Sequence, residues 1–252
     1  MADLLQAGET LEDLQLNGLR LIQKKDAFRF GMDTVLLADF ADIRGDDTVC
    51  DLGTGNGALI FLLRGRNKGK HYYALDIQEE AAELTRRNAA LNEMAEQVTV
   101  IHADAGEAIR HIPGCSVDAA VCNPPYGQPA ASLVSPNKSR AVARSQDTDT
   151  LDRLLRGAFL ILKGKGKLFL VYPATQMLYL MERLRDHHLE PKRFRMVYPA
   201  ADKNANLALI EAVKDARPML HTSPPLIIYE KDGSPTEELK KIYGKRRKSR
   251  QI

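Results

Sequence analysis

Two short apolar runs flank a turn near the start of the chain. Leu11, Leu14 and Leu16 precede Asn17-Gly18, and Leu19, Leu21 and Ile22 follow. Asn-Gly between apolar runs favours the left-handed turns that join antiparallel strands, so this segment predicts a hairpin. Val35, Leu36 and Phe40 predict a helix over Thr34–Ala41. From there the pattern alternates. Strand-like runs occupy Thr48–Asp51, His71–Asp76, Val98–His102, Val117–Cys122, Lys167–Tyr172, Lys192–Tyr198 and Asn206–Val213. Helical spacing occupies Gly57–Arg64, Gln78–Asn92, Ala105–His111, Asp149–Leu162 and Thr175–His187. Strands alternating with helices imply an α/β fold with a largely parallel sheet covered on both faces.

Seven strands in one run, without repeat or linker, argue for a single domain. The expected organisation is a hairpin and helix over residues 1–45, a core over 46–217 and an irregular basic tail over 218–252. Residues 123–148 show no clear periodicity and are rich in Pro, Ser, Arg and Gln, which reads as a long loop, either functional or mobile. Pro218, Pro224 and Pro225 break the chain again and predict an irregular ending.

Composition narrows the classes. The chain of 252 residues is 44% hydrophobic and 27% charged, enough for a sizeable core and too apolar for global disorder. No apolar run approaches the ~20 residues of a membrane span. The first residues lack a secretory pattern, so a cytoplasmic protein is expected. Cys50, Cys115 and Cys122 lie singly, without zinc-like Cys/His spacing, and read as reduced core thiols; no metal is expected. The six histidines form no metal-spaced set either. The net charge of +3 hides an asymmetry. Lys240–Ile252 holds seven basic residues and no acid; taking those seven from the 36 basic residues leaves 29 against 33 acidic ones. The tail is therefore a candidate phosphate-contacting arm on an acidic body, or else a solvated terminus.

The candidate chemistry sits at strand ends. Asp51-Leu52-Gly53-Thr54-Gly55-Asn56-Gly57 closes the first parallel strand and opens a helix, where glycines let backbone turn tightly against a ligand. It matches neither G-x-x-x-x-G-K-[ST] nor G-x-G-x-x-G, which argues against a triphosphate site and a nicotinamide dehydrogenase. Asp76 ends the next strand, where a carboxylate can accept from ribose hydroxyls. Asp104 ends the third, placed to accept from an adenine amine or to cap a helix. The fourth ends in Asn123-Pro124-Pro125-Tyr126. Prolines fix the backbone and remove donors. An Asn side chain and a carbonyl then supply two acceptors for a planar –NH2, whether of adenine, guanine or glutamine, and Tyr126 offers a stacking face.

With these motifs the chain resembles the Rossmann-like S-adenosylmethionine-dependent methyltransferases that act on amino nitrogens. Phe28–Leu37, Ala141–Arg144, Thr150–Asp152, Tyr198-Pro199 and Glu211–Pro218 extend the likeness over nearly the whole chain. They resemble the tRNA1(Val) (adenine(37)-N6)-methyltransferase family, closest to its branch in Gram-positive bacteria. Ser145 stands where that family often has histidine. The resemblance implies a class I methyltransferase fold: a seven-stranded mixed sheet, its last strand antiparallel, with helices on both faces. It implies S-adenosylmethionine as cofactor, held by Gly31, Asp33, Thr34, Asp51, Gly53, Gly55, Gly57, Asp76, Ile77, Asp104, Ala105 and Asn123. Asn123, Pro124 and Tyr126 would act on the target adenine. Lys138, Arg140, Arg144, Lys245, Arg246, Arg247 and Lys248 would contact RNA, most simply a tRNA. No membrane is expected, and the sequence leaves the oligomeric state open, with a monomer slightly favoured. A protein-glutamine methyltransferase shares the Asn-Pro-Pro-Tyr motif but usually carries an N-terminal helical domain. Only about 45 residues precede the first parallel strand here. A non-catalytic cofactor- and RNA-binding protein would not need the amine-binding corner. DNA-adenine or guanine-amine methylation also shares this chemistry.

Overall fold

A computed structural model describes residues 5–24, 31–124 and 138–244, with the backbone alone described over 138–148. Strands β1 (Glu9–Asp13) and β2 (Arg20–Lys24) form the expected antiparallel hairpin, with Leu11 opposite Ile22. Its connection is wider than a two-residue turn. Residues 14–19 form it, with Gln15, Asn17 and Gly18 all at positive φ.

The seven predicted strands all form: β3 (Thr48–Leu52), β4 (His71–Asp76), β5 (Val98–His102), β6 (Val117–Cys122), β7 (Leu162–Pro173), β8 (Leu189–Ala200) and β9 (Leu207–Lys214). Their order across the sheet is β8-β9-β7-β6-β3-β4-β5, and β9 runs antiparallel to both neighbours. The sheet is larger than the seven strands expected. β10 (His221–Thr222) and β11 (Leu226–Tyr229) pair in parallel with successive stretches of β8, giving nine strands among the described residues.

Alternate strand residues feed two cores. Ala119, Val121, Phe169 and Val171 face one, with α1 (Met32–Phe40) and α2 (Ala58–Gly65). Ala120, Cys122, Leu168 and Leu170 face the other, with α4 (Lys138–Ile161) and α5 (Met177–Asp186). Between them in sequence, α3 (Glu79–Leu91) packs beside β4, β5 and the hairpin. Two helices end on a lysine. Lys68 Nζ donates to the carbonyls of Ala38, Asp39 and Ala41 at the end of α1, and Lys214 Nζ to those of Phe159 and Leu162 at the end of α4. These donors satisfy carbonyls that have no partner within the helix. Burial pushes the Lys68 ammonium pKa down to about 8.

Four expectations need correction. The predicted helix at Ala105–His111 is a 3-10 turn, Ala105–Arg110, whose N-cap is Asp104. The predicted loop over 123–148 is helical from Lys138, because α4 extends eleven residues before Asp149. The irregular tail is largely ordered: β10, β11 and α6 (Glu237–Ile242) bury Leu226, Ile228, Leu239 and Ile242. Pro224 and Pro225 do break the chain, but Arg195 spans the break by donating to both their carbonyls. Of the three cysteines, Cys50 and Cys122 are buried, whereas Cys115 is exposed. No helix among the described residues is long and apolar enough to cross a membrane.

Candidate active site

The carboxyl ends of β3, β4, β5 and β6 surround a cavity of about 450 Å³. That volume lies in the range of small-molecule sites, and an open parallel sheet binds ligands at this edge. The glycine loop forms its floor. Gly53 and Thr54 donate their N–H groups to the Leu75 carbonyl, stitching the loop to the end of β4. Gly53 (φ 79°) and Gly55 (φ 59°) adopt left-handed backbone, and a Cβ on either would meet nothing within 4 Å. Both line the cavity, so bare backbone faces a ligand there. Gly57 serves packing instead. It caps α2 away from the cavity lining, and a Cβ would press on Phe61 at 2.7 Å and Thr85 at 3.1 Å.

Asp76 is buried and braces this loop. Its Oδ2 accepts from the Gly55 N–H at 2.8 Å and its Oδ1 from the Gln78 N–H at 2.9 Å. Each carboxylate oxygen retains a second lone pair toward the cavity it lines. Ile77, the next residue, is 60% exposed yet lines the cavity, an apolar face for a flat ring. His102 Nε2 donates to the Ile77 carbonyl at 3.0 Å, which fixes that nitrogen as the protonated one. Asp104 lines the opposite side with Ala105. Its Oδ1 accepts from the Gly106 N–H at 2.8 Å, and its Oδ2 lies 3.4 Å from the Arg153 guanidinium. The capping and ligand-facing readings of Asp104 therefore coexist.

Asp51 lies beneath the loop, fully buried, and Thr54 Oγ1 donates to its Oδ2 at 2.8 Å. Burial pushes its carboxyl pKa up to about 7, and the nearby Asp76 charge adds to the rise against the Thr54 bond. This floor is a protonatable group close to neutral pH.

The end of β6 is tied to α1. Asn123 Nδ2 donates to Asp33 Oδ2 at 3.1 Å and to Thr34 Oγ1 at 3.0 Å. An ionised carboxylate only accepts, so the nitrogen is identified and the amide cannot flip. Asn123 and Pro124 both line the cavity. Asp33 does not line the cavity; it orients Asn123, while its own Oδ1 accepts from the Thr34 N–H at 2.8 Å. Gly31 lies outside the lining as the N-cap of α1. The buried acids, the exposed Ile77 and the bare loop suit an adenosine-bearing cofactor, and Asn123 lies at the same opening. Among the described residues no group of three His, Cys, Asp or Glu side chains could hold a metal ion.

Several predicted residues fall elsewhere. Tyr126, Lys245, Arg246, Arg247 and Lys248 lie outside the described residues. Lys138, Arg140 and Arg144 lie on the first turns of α4, the helix whose later residues Thr150, Arg153 and Leu154 line the cavity. The sequence reading missed those three, together with Lys24, Asn56 and Glu80. Helical spacing along the predicted helix Asp149–Leu162 would have found the first set, and Asn56 stands inside the glycine motif; nothing local marks Lys24 or Glu80.

Comparison with known proteins agrees with this geometry. A family described as "Methyltransferase domain" matches residues 43–233. The tRNA1(Val) (adenine(37)-N6)-methyltransferase of Parabacteroides distasonis is 32% identical over 189 residues, covering 74% of this chain and 77% of that protein. Its counterpart in Aliivibrio salmonicida is 27% identical over 201 residues, covering 80% and 83%. Among solved structures, a predicted O-methyltransferase from Agrobacterium tumefaciens superposes with a TM-score of 0.67 at 22% identity, covering 84% of this chain and 96% of that one. The last likeness is one of fold.

Proposed function

We propose, from the premise that this chain belongs to the methyltransferase-domain family and within it to the tRNA1(Val) (adenine(37)-N6)-methyltransferases, that it methylates the N6 amine of an adenine in tRNA, using S-adenosylmethionine. The target of those relatives, adenine 37 of a valine tRNA, is the first candidate. The supporting observation is Asn123, whose amide nitrogen is held by Asp33 and Thr34 at the cavity that it lines beside Pro124.

The residues present fit the cofactor. Gly53 and Gly55 would meet its amino-acid end, Asp76 its ribose hydroxyls, Ile77 a face of its adenine and Asp104 the adenine amine. When bound, it supplies an activated methyl group, so the protein's task is positioning and electrostatics.

The target adenine has to leave its stack to reach an enclosed site. Asn123 Oδ1 and the Pro124 carbonyl accept its two amine hydrogens. Holding both hydrogens on one side draws the nitrogen toward tetrahedral geometry and frees its lone pair. Tyr126 stacks on the base. No histidine base is needed, because methylation leaves the nitrogen cationic and acidic, and its surplus proton is lost to water. Lys138, Arg140, Arg144 and the cluster Lys245, Arg246, Arg247 and Lys248 would neutralise phosphates, and their contribution would fall as salt rises. A tRNA substrate supports a cytoplasmic location.

The test is incubation with methyl-labelled S-adenosylmethionine and, separately, unmodified tRNA, ribosomal RNA, DNA and a glutamine-bearing protein substrate, followed by digestion and product identification. Label in N6-methyladenosine from tRNA is the expected result. Label in N5-methylglutamine, or none anywhere, contradicts it.

A further inference from the structure

The N-terminal hairpin is fastened to α3 by two asparagines that act as a substitute strand. In an antiparallel pair, alternate residues turn both backbone groups to the outer edge. On β2 two of these residues are Arg20 and Ile22, and each meets a side-chain amide. Asn88 Oδ1 accepts from the Ile22 N–H at 2.7 Å and its Nδ2 donates to the Ile22 carbonyl at 3.1 Å. Asn92 does the same with Arg20, at 2.9 and 2.7 Å. Residues four apart on a helix rise about 6 Å, and residues two apart on a strand advance about 6.7 Å. The two ladders match, so the edge of β2 is satisfied without a third strand.

The two asparagines differ in burial and in their third bond: Asn92, half-buried, turns its Nδ2 back to the Asn88 carbonyl at 2.8 Å. Asn88 Nδ2 also donates to the carbonyl of Asn56 at 2.9 Å, inside the glycine loop. Asn88 is fully buried, so a backbone carbonyl of the loop and two backbone groups of the hairpin share one fixed amide. Neighbouring bonds run the same way. Asn56 Nδ2 lies 3.4 Å from Gln23 Oε1, and Lys24, the next residue, lines the cavity.

We infer that Asn88 is a positioning residue, coupling the docking of the N-terminal hairpin to the shape of the cofactor loop. Filling the site tightens the hairpin, and loosening the hairpin's hold at Asn88 weakens the site, because such coupling is reciprocal. Asn92 holds the hairpin with equivalent bonds but makes none to the loop. The inference rests on the reading of the cavity as an S-adenosylmethionine site.

The test uses the full chain with S-adenosylhomocysteine, reading affinity by calorimetry and backbone amide exchange at Ile22. In the unsubstituted protein, saturation should slow Ile22 exchange several-fold. Asn92→Ala should speed exchange in the hairpin while leaving Kd within about twofold. Asn88→Ala should weaken Kd on the order of tenfold, within the usual range of such couplings, and Ile22 exchange should cease to respond to the ligand. An unchanged Kd in Asn88→Ala, or an equal loss in both variants, overturns the coupling. Should Asn88→Ala not fold, the other two proteins decide: binding without added protection at Ile22 overturns the coupling alone. No binding by the unsubstituted protein overturns the reading of the cavity, and the inference with it.

Discussion

Asn88 and Asn92 hold one end of the chain to the core; Leu226, Ile228, Leu239 and Ile242 hold the other. Both ends lie outside the seven central strands. The hairpin is docked by burial of Leu14, Leu21 and Ile22 and, in addition, by directional bonds, with a partly buried Arg87–Glu9 pair at 2.6 Å beside them. The segment from β10 to α6 is docked by apolar burial against β8, with Arg195 bridging to Glu238 and to two proline carbonyls. Directional bonds transmit position, because they hold only in one geometry. Apolar burial contributes stability in proportion to area and is indifferent to small shifts. Both ends bury apolar side chains, and the end that reaches the glycine loop is the one also held by side-chain amides of a core helix.

The contrast can be broken most forcefully at α6. Leu239→Ala should lower unfolding stability by about 2–5 kcal/mol, the usual cost of a core truncation. The folded fraction should bind S-adenosylhomocysteine with unchanged affinity. A large loss of affinity in folded protein would show that this end, too, communicates with the site.

The second effect is one of pH. Asp51 keeps its proton in the folded protein up to about pH 7, but loses it in the unfolded chain near 3.8. The folded state therefore binds the extra proton between these values, and this contribution to stability falls as pH rises from about 4 to 7. A rise of about three units corresponds to roughly 4 kcal/mol at most. Asp51→Asn should lose that dependence and gain stability relative to the unsubstituted protein at pH 8, read by denaturant unfolding at several pH values. Parallel pH profiles for the two proteins would contradict it.

The smallest effect is local. The Arg87 guanidinium holds the Glu9 carboxyl below its usual range. That stabilisation is present above the unfolded value of about 4.5 and disappears as pH falls through the lower folded value. Glu9→Gln should release the hairpin by roughly 1–3 kcal/mol at neutral pH, the scale of a hydrogen bond to a charged group, and match the unsubstituted protein in strong acid. Exchange of hairpin amides against pH reads it. A gap that persists in acid would show that the pair is not its source.

Boundaries were legible for β3 to β6, which are short apolar runs closed at or near Gly, Asp or Asn, whereas β7 and β8 begin at Leu162 and Leu189, ahead of the predicted Lys167 and Lys192. His71–Asp76, Val98–His102 and Val117–Cys122 form with the predicted limits. The strand-end acids and Asn123 were legible for the same reason, since their place in the sheet follows from the pattern. The C-terminal segment was not. Pro224 and Pro225 signal a break, and only the distant Arg195 shows that the chain resumes pairing beyond it. The asparagines of α3 were not legible either. A helical Asn reads as a weak helix former, and its value here depends on a strand some 66 residues earlier. Asp33 shows the same limit: its bond to Asn123, 90 residues away, has no mark in the sequence.

The account stands most directly on Asn123. Methyl transfer to unmodified tRNA should be measured for Asn123→Ala beside the unsubstituted protein, with S-adenosylhomocysteine affinity measured on the same preparations. Loss of one preorganised partner of the reacting group typically costs on the order of a hundredfold or more in rate. The account predicts that loss in N6-methyladenosine formation, with cofactor affinity changed no more than a few-fold. Turnover at the unsubstituted rate by Asn123→Ala would contradict it.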